Sequence, residues 1–177
     1  MVVAIVGVLA VVAVIAYSKV VRKANSSEVP EMFGELKTRE DMYKAENGTY
    51  LPLCGTPTTP VTDGKDCTET ANDFFPTPLP GKGQRMDPTQ NVPARWTALR
   101  VHIGHPLYCQ YKVVAGLAGD LGPAGPRGTS IFDPANPPPR SWYYNMARCD
   151  WDGDPAVNAE YWQRDDLSAI GSENELR

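Results

Sequence analysis

The first charge in this chain is Lys19, and every residue before it except Gly7 and Ser18 is apolar. An uncharged run of 18 residues is near the lower limit for a helix that crosses a bilayer. It is not a typical cleaved signal. Nothing basic precedes it, and Tyr17-Ser-Lys-Val-Val-Arg-Lys follows without a small-residue cleavage site. Beyond Asn25 the pattern changes. Val29, Met32, Phe33, Leu36 and Tyr43 recur at helical spacing, and Glu28, Glu31, Glu35, Lys37, Arg39, Glu40 and Lys44 are expected on the other faces. Pro30 is expected to kink one continuous helix, the weighed alternative being a new helix with Pro30 in its first turn and Ser26 or Ser27 as N-cap; Asn47-Gly48 is expected to end it, because both residues tolerate the left-handed conformation that follows a helix. A helix from 1 to 47 would be about 70 Å long at 1.5 Å per residue. The rest of the chain is too small to cover that length. The expected division is therefore a hydrophobic helix half at 1–25 and a globular domain at 26–177.

Outside the apolar run, hydrophobic residues fall below the usual globular share, while the chain holds 17 Pro and 15 Gly. Both residues interrupt helices and central strands, so a helical bundle and a doubly wound sheet are disfavoured. A net charge of −4 gives no general attraction to phosphate, and no nucleic-acid partner is expected.

From Tyr50 to Pro93 the sequence reads mostly as loop. Strands are expected at Trp96–Ile103 and Leu107–Ala115, joined as a hairpin through Gly104-His-Pro106, and at Ser141–Cys149. Tyr161-Trp-Gln is expected as a short edge strand. The Gly-x-y triplets of 116–130 are too few for collagen and read as a mobile surface loop. The fold class is α+β, a long N-terminal helix packed on an antiparallel sheet.

Cys54, Cys67, Cys109 and Cys149 allow three pairings, and none forms a Cys-x-x-Cys pair. In a loop-rich body with a thin core they read as disulfides in an oxidising compartment. The preferred set is Cys54–Cys67, closing a short loop, and Cys109–Cys149, closing a long one. That places the body outside the cytoplasm. Lys19, Arg22 and Lys23 alone would pull it inward by the positive-inside rule.

Asp150-Trp-Asp-Gly-Asp154 sets Asp150, Asp152 and Asp154 at every second position, an oxygen-rich pattern suited to calcium. It departs from an EF-hand loop, because Pro155 and Tyr161 stand where that loop has Gly and Glu. The weighed alternative is a solvated acidic turn. No other cofactor is expected. His102-Ile-Gly-His105 spells a class I aminoacyl-tRNA synthetase signature, in a chain too short for that fold. As metal ligands on a strand the two histidines would point to opposite faces. Asn47-Gly-Thr49 fits a glycosylation sequon. Asp165 and Asp166 read as solvated carboxylates. No catalytic constellation emerges, and the chain is not expected to be an enzyme.

Met1–Ala10, continuing to Tyr17, resembles the N-terminal helix of type IV pilins and of the pseudopilins of type II secretion. The resemblance runs on through the amphipathic helix to Glu46-Asn-Gly-Thr-Tyr-Leu51. Ala147-Arg-Cys-Asp-Trp-Asp-Gly-Asp154 is similar to the last strand and turn of some pilins. The likeness covers the first 51 residues well and 147–170 loosely; the middle is unmatched. It implies a pilin-like fold with disulfide-stapled loops. It also implies a subunit held in the inner membrane and then built by the pilus assembly machinery into an extracellular homo-oligomeric filament. Such filaments serve adhesion, motility or DNA uptake. Val3, Ile5, Gly7, Leu9, Val12, Ile15 and Tyr17 would pack helix on helix in the filament core, with Gly7 allowing close approach. Loops 52–95 and 116–140 would be displayed. The family's N-methylated Phe and assembly glutamate match no position here, nor does the Pro that many pilins carry before the aligned Tyr17. The natural start is expected to lie upstream by roughly seven residues, or about 10 Å of helix; the weighed alternative is a pilin-like protein that is never processed. Two other readings are a secretion pseudopilin, which a calcium site would favour, and a monomeric, membrane-anchored periplasmic binding domain.

Overall fold

In a computed structural model the described residues are 13, 17, 20–53, 74–122, 130–154 and 157–175. Residues 20–26 are helical, and α1 follows as Glu28–Asn47. Between them Ser27 interrupts the helix while keeping right-handed helical angles, φ −65° and ψ −16°. Its hydroxyl donates backward to the Ala24 carbonyl at 2.6 Å instead of capping α1. The break falls one turn before Pro30, whose nitrogen has no hydrogen to give the carbonyl four residues back. Gly48 ends α1 at φ 81°, donating to the Lys44 carbonyl at 2.8 Å, as the Asn-Gly pair predicts.

The sheet is a four-stranded antiparallel meander in the order β1 Cys109–Gly116, β2 Trp142–Cys149, β3 Ala159–Arg164 and β4 Gly171–Glu173. The strands expected at 107–115 and 141–149 are thus present. Two expectations are corrected. Residues 96–103 do not form a strand: Ala94–Ala98 is a short helix, α2, followed by irregular chain. Pro93 at its N-cap fixes the backbone, and its carbonyl accepts from Trp96 and Thr97. Those local bonds outweigh the β-forming composition. The Tyr161 strand is also not an edge, because β3 lies between β2 and β4.

The outer edge of β1 is covered by single bridges, Leu53 to Val113 and Phe75 to Tyr111, and Met86 bridges to Leu107 just ahead of it. This blunts an edge that would otherwise present unpaired backbone groups. On one face α1 lays Val29, Met32, Phe33 and Leu36 against Tyr111, Val113, Ala147 and Tyr161, all buried. The opposite face is covered by Phe74 and Phe132, which pack on Val114, Trp142, Tyr144 and Met146. Burial on both sides explains why β1 is buried at every position. Phe74 and Phe132 thus add a second layer to the core.

Trp142 is seated against two glycines of the triplet stretch. A Cβ added at Gly116 or at Gly122 would come within 2.4 Å of its ring. These two positions are packing surfaces; residues 123–129 lie outside the described residues.

Candidate functional site

The first turn of α1 is tied to the start of β1 by one side chain. Glu28 Oε1 accepts from the Tyr111 hydroxyl at 2.7 Å and from the Cys109 N–H at 3.3 Å. Its Oε2 accepts from the Tyr108 N–H at 3.0 Å. Burial, with Glu28 beside it, holds the Tyr111 hydroxyl well above the ordinary tyrosine range. Near the other end of α1, Glu40 is fully buried, and its Oε2 accepts from the Leu51 N–H at 2.9 Å. Desolvation pushes the Glu40 carboxyl from 4.5 up to about 8, with Asp41 adding a like charge.

Both residues were expected on exposed helix faces, and both are buried. The signal was positional. Glu40 stands four residues after Leu36 and seven after Phe33, and Glu28 four before Met32, so each lies on the apolar stripe itself.

Cys109 and Cys149 form a disulfide, directly opposite each other in the β1–β2 register. It closes the Glu28 end of the sheet. Cys54 and Cys67 lie outside the described residues, and so does their expected pairing.

The acidic turn uses its carboxylates on its own backbone. Asp150 Oδ1 accepts from the Gly153 N–H at 2.6 Å, and Asp152 Oδ1 from the Asp154 N–H at 3.0 Å. Among the described residues no group of three or more His, Cys, Asp or Glu side chains is arranged to hold a metal ion. The histidine pair corrects another expectation. His102 and His105 lie on irregular chain and not on a strand, and with Glu31 and Glu35 they line one cavity of about 400 Å³. His105 Nε2 is 3.9 Å from Glu31 Oε1, while Glu35 is taken by Arg39 at 2.8 Å. Asp165 is not freely solvated either: burial raises its carboxyl, and Arg140 Nη2 stands 3.8 Å away.

Of the expected assembly residues, Tyr17 is described and is 72% exposed. Val3, Ile5, Gly7, Leu9, Val12 and Ile15 lie outside the described residues. Among the described residues no helix is long and apolar enough to cross a membrane. Comparison with family models, with curated proteins and with solved structures finds no match to this chain.

Proposed function

We propose that the chain is a structural subunit of a type IV pilus-like filament, held in the inner membrane by its N-terminal helix before assembly outside the cell. One observation supports this most. Helical residues continue back from the body to Val20, yet burial begins only at Glu28. Tyr17 and Val20, at the end of the uncharged run in sequence, are 72% and 66% exposed. Apolar side chains left without cover by their own domain call for lipid or for neighbouring helices. In the filament each helix would pack among copies of itself. A head-to-tail contact of that kind does not close, and so it grows a fibre. The body would then coat the outside, braced by the Cys109–Cys149 disulfide in an oxidising medium.

Negative-stain microscopy of sheared material from the native cell, labelled with antibody to residues 26–177, tests this. Decorated filaments several subunits long are expected. Chain found solely as a monomer in the membrane fraction would overturn the proposal in favour of an anchored binding domain. Short periplasmic fibres would point to a secretion pseudopilin.

A further inference from the structure

Residues 101–106 run as irregular chain between α2 and β1, and there His102 and His105 share a cavity of about 400 Å³ with Glu31 of α1. The groups are open to solvent, the side chains of His105 and Glu31 being 45% and 73% exposed. The Pro106 carbonyl fixes the tautomer of His105. A carbonyl can only accept, so its bond of 3.3 Å with Nδ1 puts a proton on that nitrogen. In the neutral ring the lone pair is then on Nε2, and Nε2 stands 3.9 Å from Glu31 Oε1. Two acceptors thus confront each other beyond the reach of an ordinary hydrogen bond, about 2.7–3.2 Å. Neither Glu31 nor His102 makes a hydrogen bond among the described residues. An imidazole nitrogen and a carboxylate oxygen on one tetrahedral zinc ion, each about 2.0–2.1 Å from it, stand about 3.3 Å apart. Closing the gap between His105 and Glu31 takes about 0.6 Å, a shift that an exposed glutamate makes by torsion alone.

We propose that Glu31 and His105 form the core of a site for a divalent transition-metal ion of the zinc class, and that His102 completes it as the third protein ligand.

His102 lines the same cavity, and its Nε2 lies 3.9 Å from the point where a Cβ on Gly104 would stand. Among the described residues the three groups are not already set as a ligand cluster, so His102 reaches the ion by turning its ring. Gly104, between the two histidines, has no side chain to block that turn. Ligand chemistry selects the ion. Two imidazoles and one carboxylate suit zinc and its neighbours, whereas calcium takes about six to eight oxygens. Glu35, one turn on from Glu31, adds no ligand, because Arg39 holds it at 2.8 Å. The fourth position is left to water. A bound ion would join α1 to the segment that leads into β1, just ahead of Tyr108, whose N–H donates to Glu28 at 3.0 Å. The metal would therefore brace the junction that Glu28 already ties.

Calorimetric titration of the untagged, oxidised full chain in detergent with Zn2+ tests the site, with the histidine ring nitrogens followed by NMR. One ion per chain is expected, bound to His105 through Nε2. Glu31→Gln and His105→Ala should each weaken binding by more than the roughly 10–100-fold that loss of an outer-shell partner costs. His102→Ala should weaken it as well, leaving a two-ligand site. Ca2+ should not displace the Zn2+. All three side chains are exposed, so the variants should fold as the wild type does, which urea unfolding without metal checks. Absence of saturable Zn2+ binding would overturn the proposal. So would binding that Glu31→Gln or His105→Ala leaves unchanged, or displacement by Ca2+. Unchanged affinity in His102→Ala would overturn its place as the third ligand.

Discussion

Glu28→Ala should be among the most damaging single truncations in this domain, although it removes a charged residue from a helix end. The side chain is 7% exposed and spans from the first turn of α1 to the start of β1, some eighty residues away in sequence. Its loss leaves three donors behind. The Tyr111 hydroxyl is fully buried and bonded at 2.7 Å, so it is left without an acceptor. The Cys109 N–H is buried too, but its bond is long at 3.3 Å. The Tyr108 N–H belongs to a half-buried residue and can recover water. An orphaned buried donor costs about 1–3 kcal/mol. With the hydroxyl near the middle of that range, and the two amides counted low, the total is about 3 kcal/mol. Tyr111→Phe removes one donor together with its need for a partner and should cost about 1 kcal/mol. The two substitutions share one bond. Urea unfolding of wild type, both singles and the double should therefore give a coupling of roughly 1–2 kcal/mol. A Glu28→Ala loss under 1 kcal/mol, or a coupling of zero, would refute the claim that this carboxyl ties the helix to the sheet.

Glu40 sets a pH slope. Below 4.5 the side chain is protonated in both folded and unfolded chains, and its full contribution is present. As pH rises towards about 8 only the unfolded chain gives up the proton, so stability falls by about 1.4 kcal/mol per unit. Glu40→Gln should accordingly be more stable than wild type by about 3 kcal/mol at pH 7 and nearly equal at pH 4; parallel denaturation curves at both values would contradict this. Arg100, just past α2, is held at φ 56°, and Val101 donates back to the Trp96 carbonyl at 3.3 Å, an arrangement that glycine suits best. Arg100→Gly should raise thermal stability by about 0.5–1 kcal/mol, and a loss would show that the arginine side chain has a compensating contact. Replacing Cys109 and Cys149 together by serine frees a loop spanning 40 residues and should cost about 3–4 kcal/mol, read by urea unfolding under non-reducing conditions.

How much of this was legible depended on whether the signal was local. The apolar stripe predicted the burial of Val29, Met32, Phe33 and Leu36, and Asn47-Gly48 predicted the helix end, because both are properties of consecutive residues. The same stripe also contains Glu28 and Glu40, where residue type predicts exposure and position predicts burial. Composition argued for exposure, yet a helix turns each residue to a fixed face whatever its chemistry. Position is the stronger guide, and each buried acid ties α1 by a hydrogen bond to a segment distant in sequence. The strand expected at 96–103 failed for the opposite reason. Its β-forming residues follow Pro93, which caps a turn of helix at Ala94–Ala98.

The second layer of the core could not have been read from periodicity at all. Phe74 and Phe132 come from Pro-rich stretches with no helical or strand repeat, and each finds the sheet through contacts distant in sequence. Phe132 meets Trp142 at 4.5 Å between ring centroids, and Trp142 in turn needs the bare backbone of Gly116 and Gly122. A chain with few aliphatic residues beyond its first segment can still bury both faces of a sheet in this way, by setting a few large rings against glycine. α1 joins this core through its stripe and is tied further by Glu28 and Glu40. Residues 20–26, ahead of Ser27, are helical but contribute none of their side chains to that buried stripe.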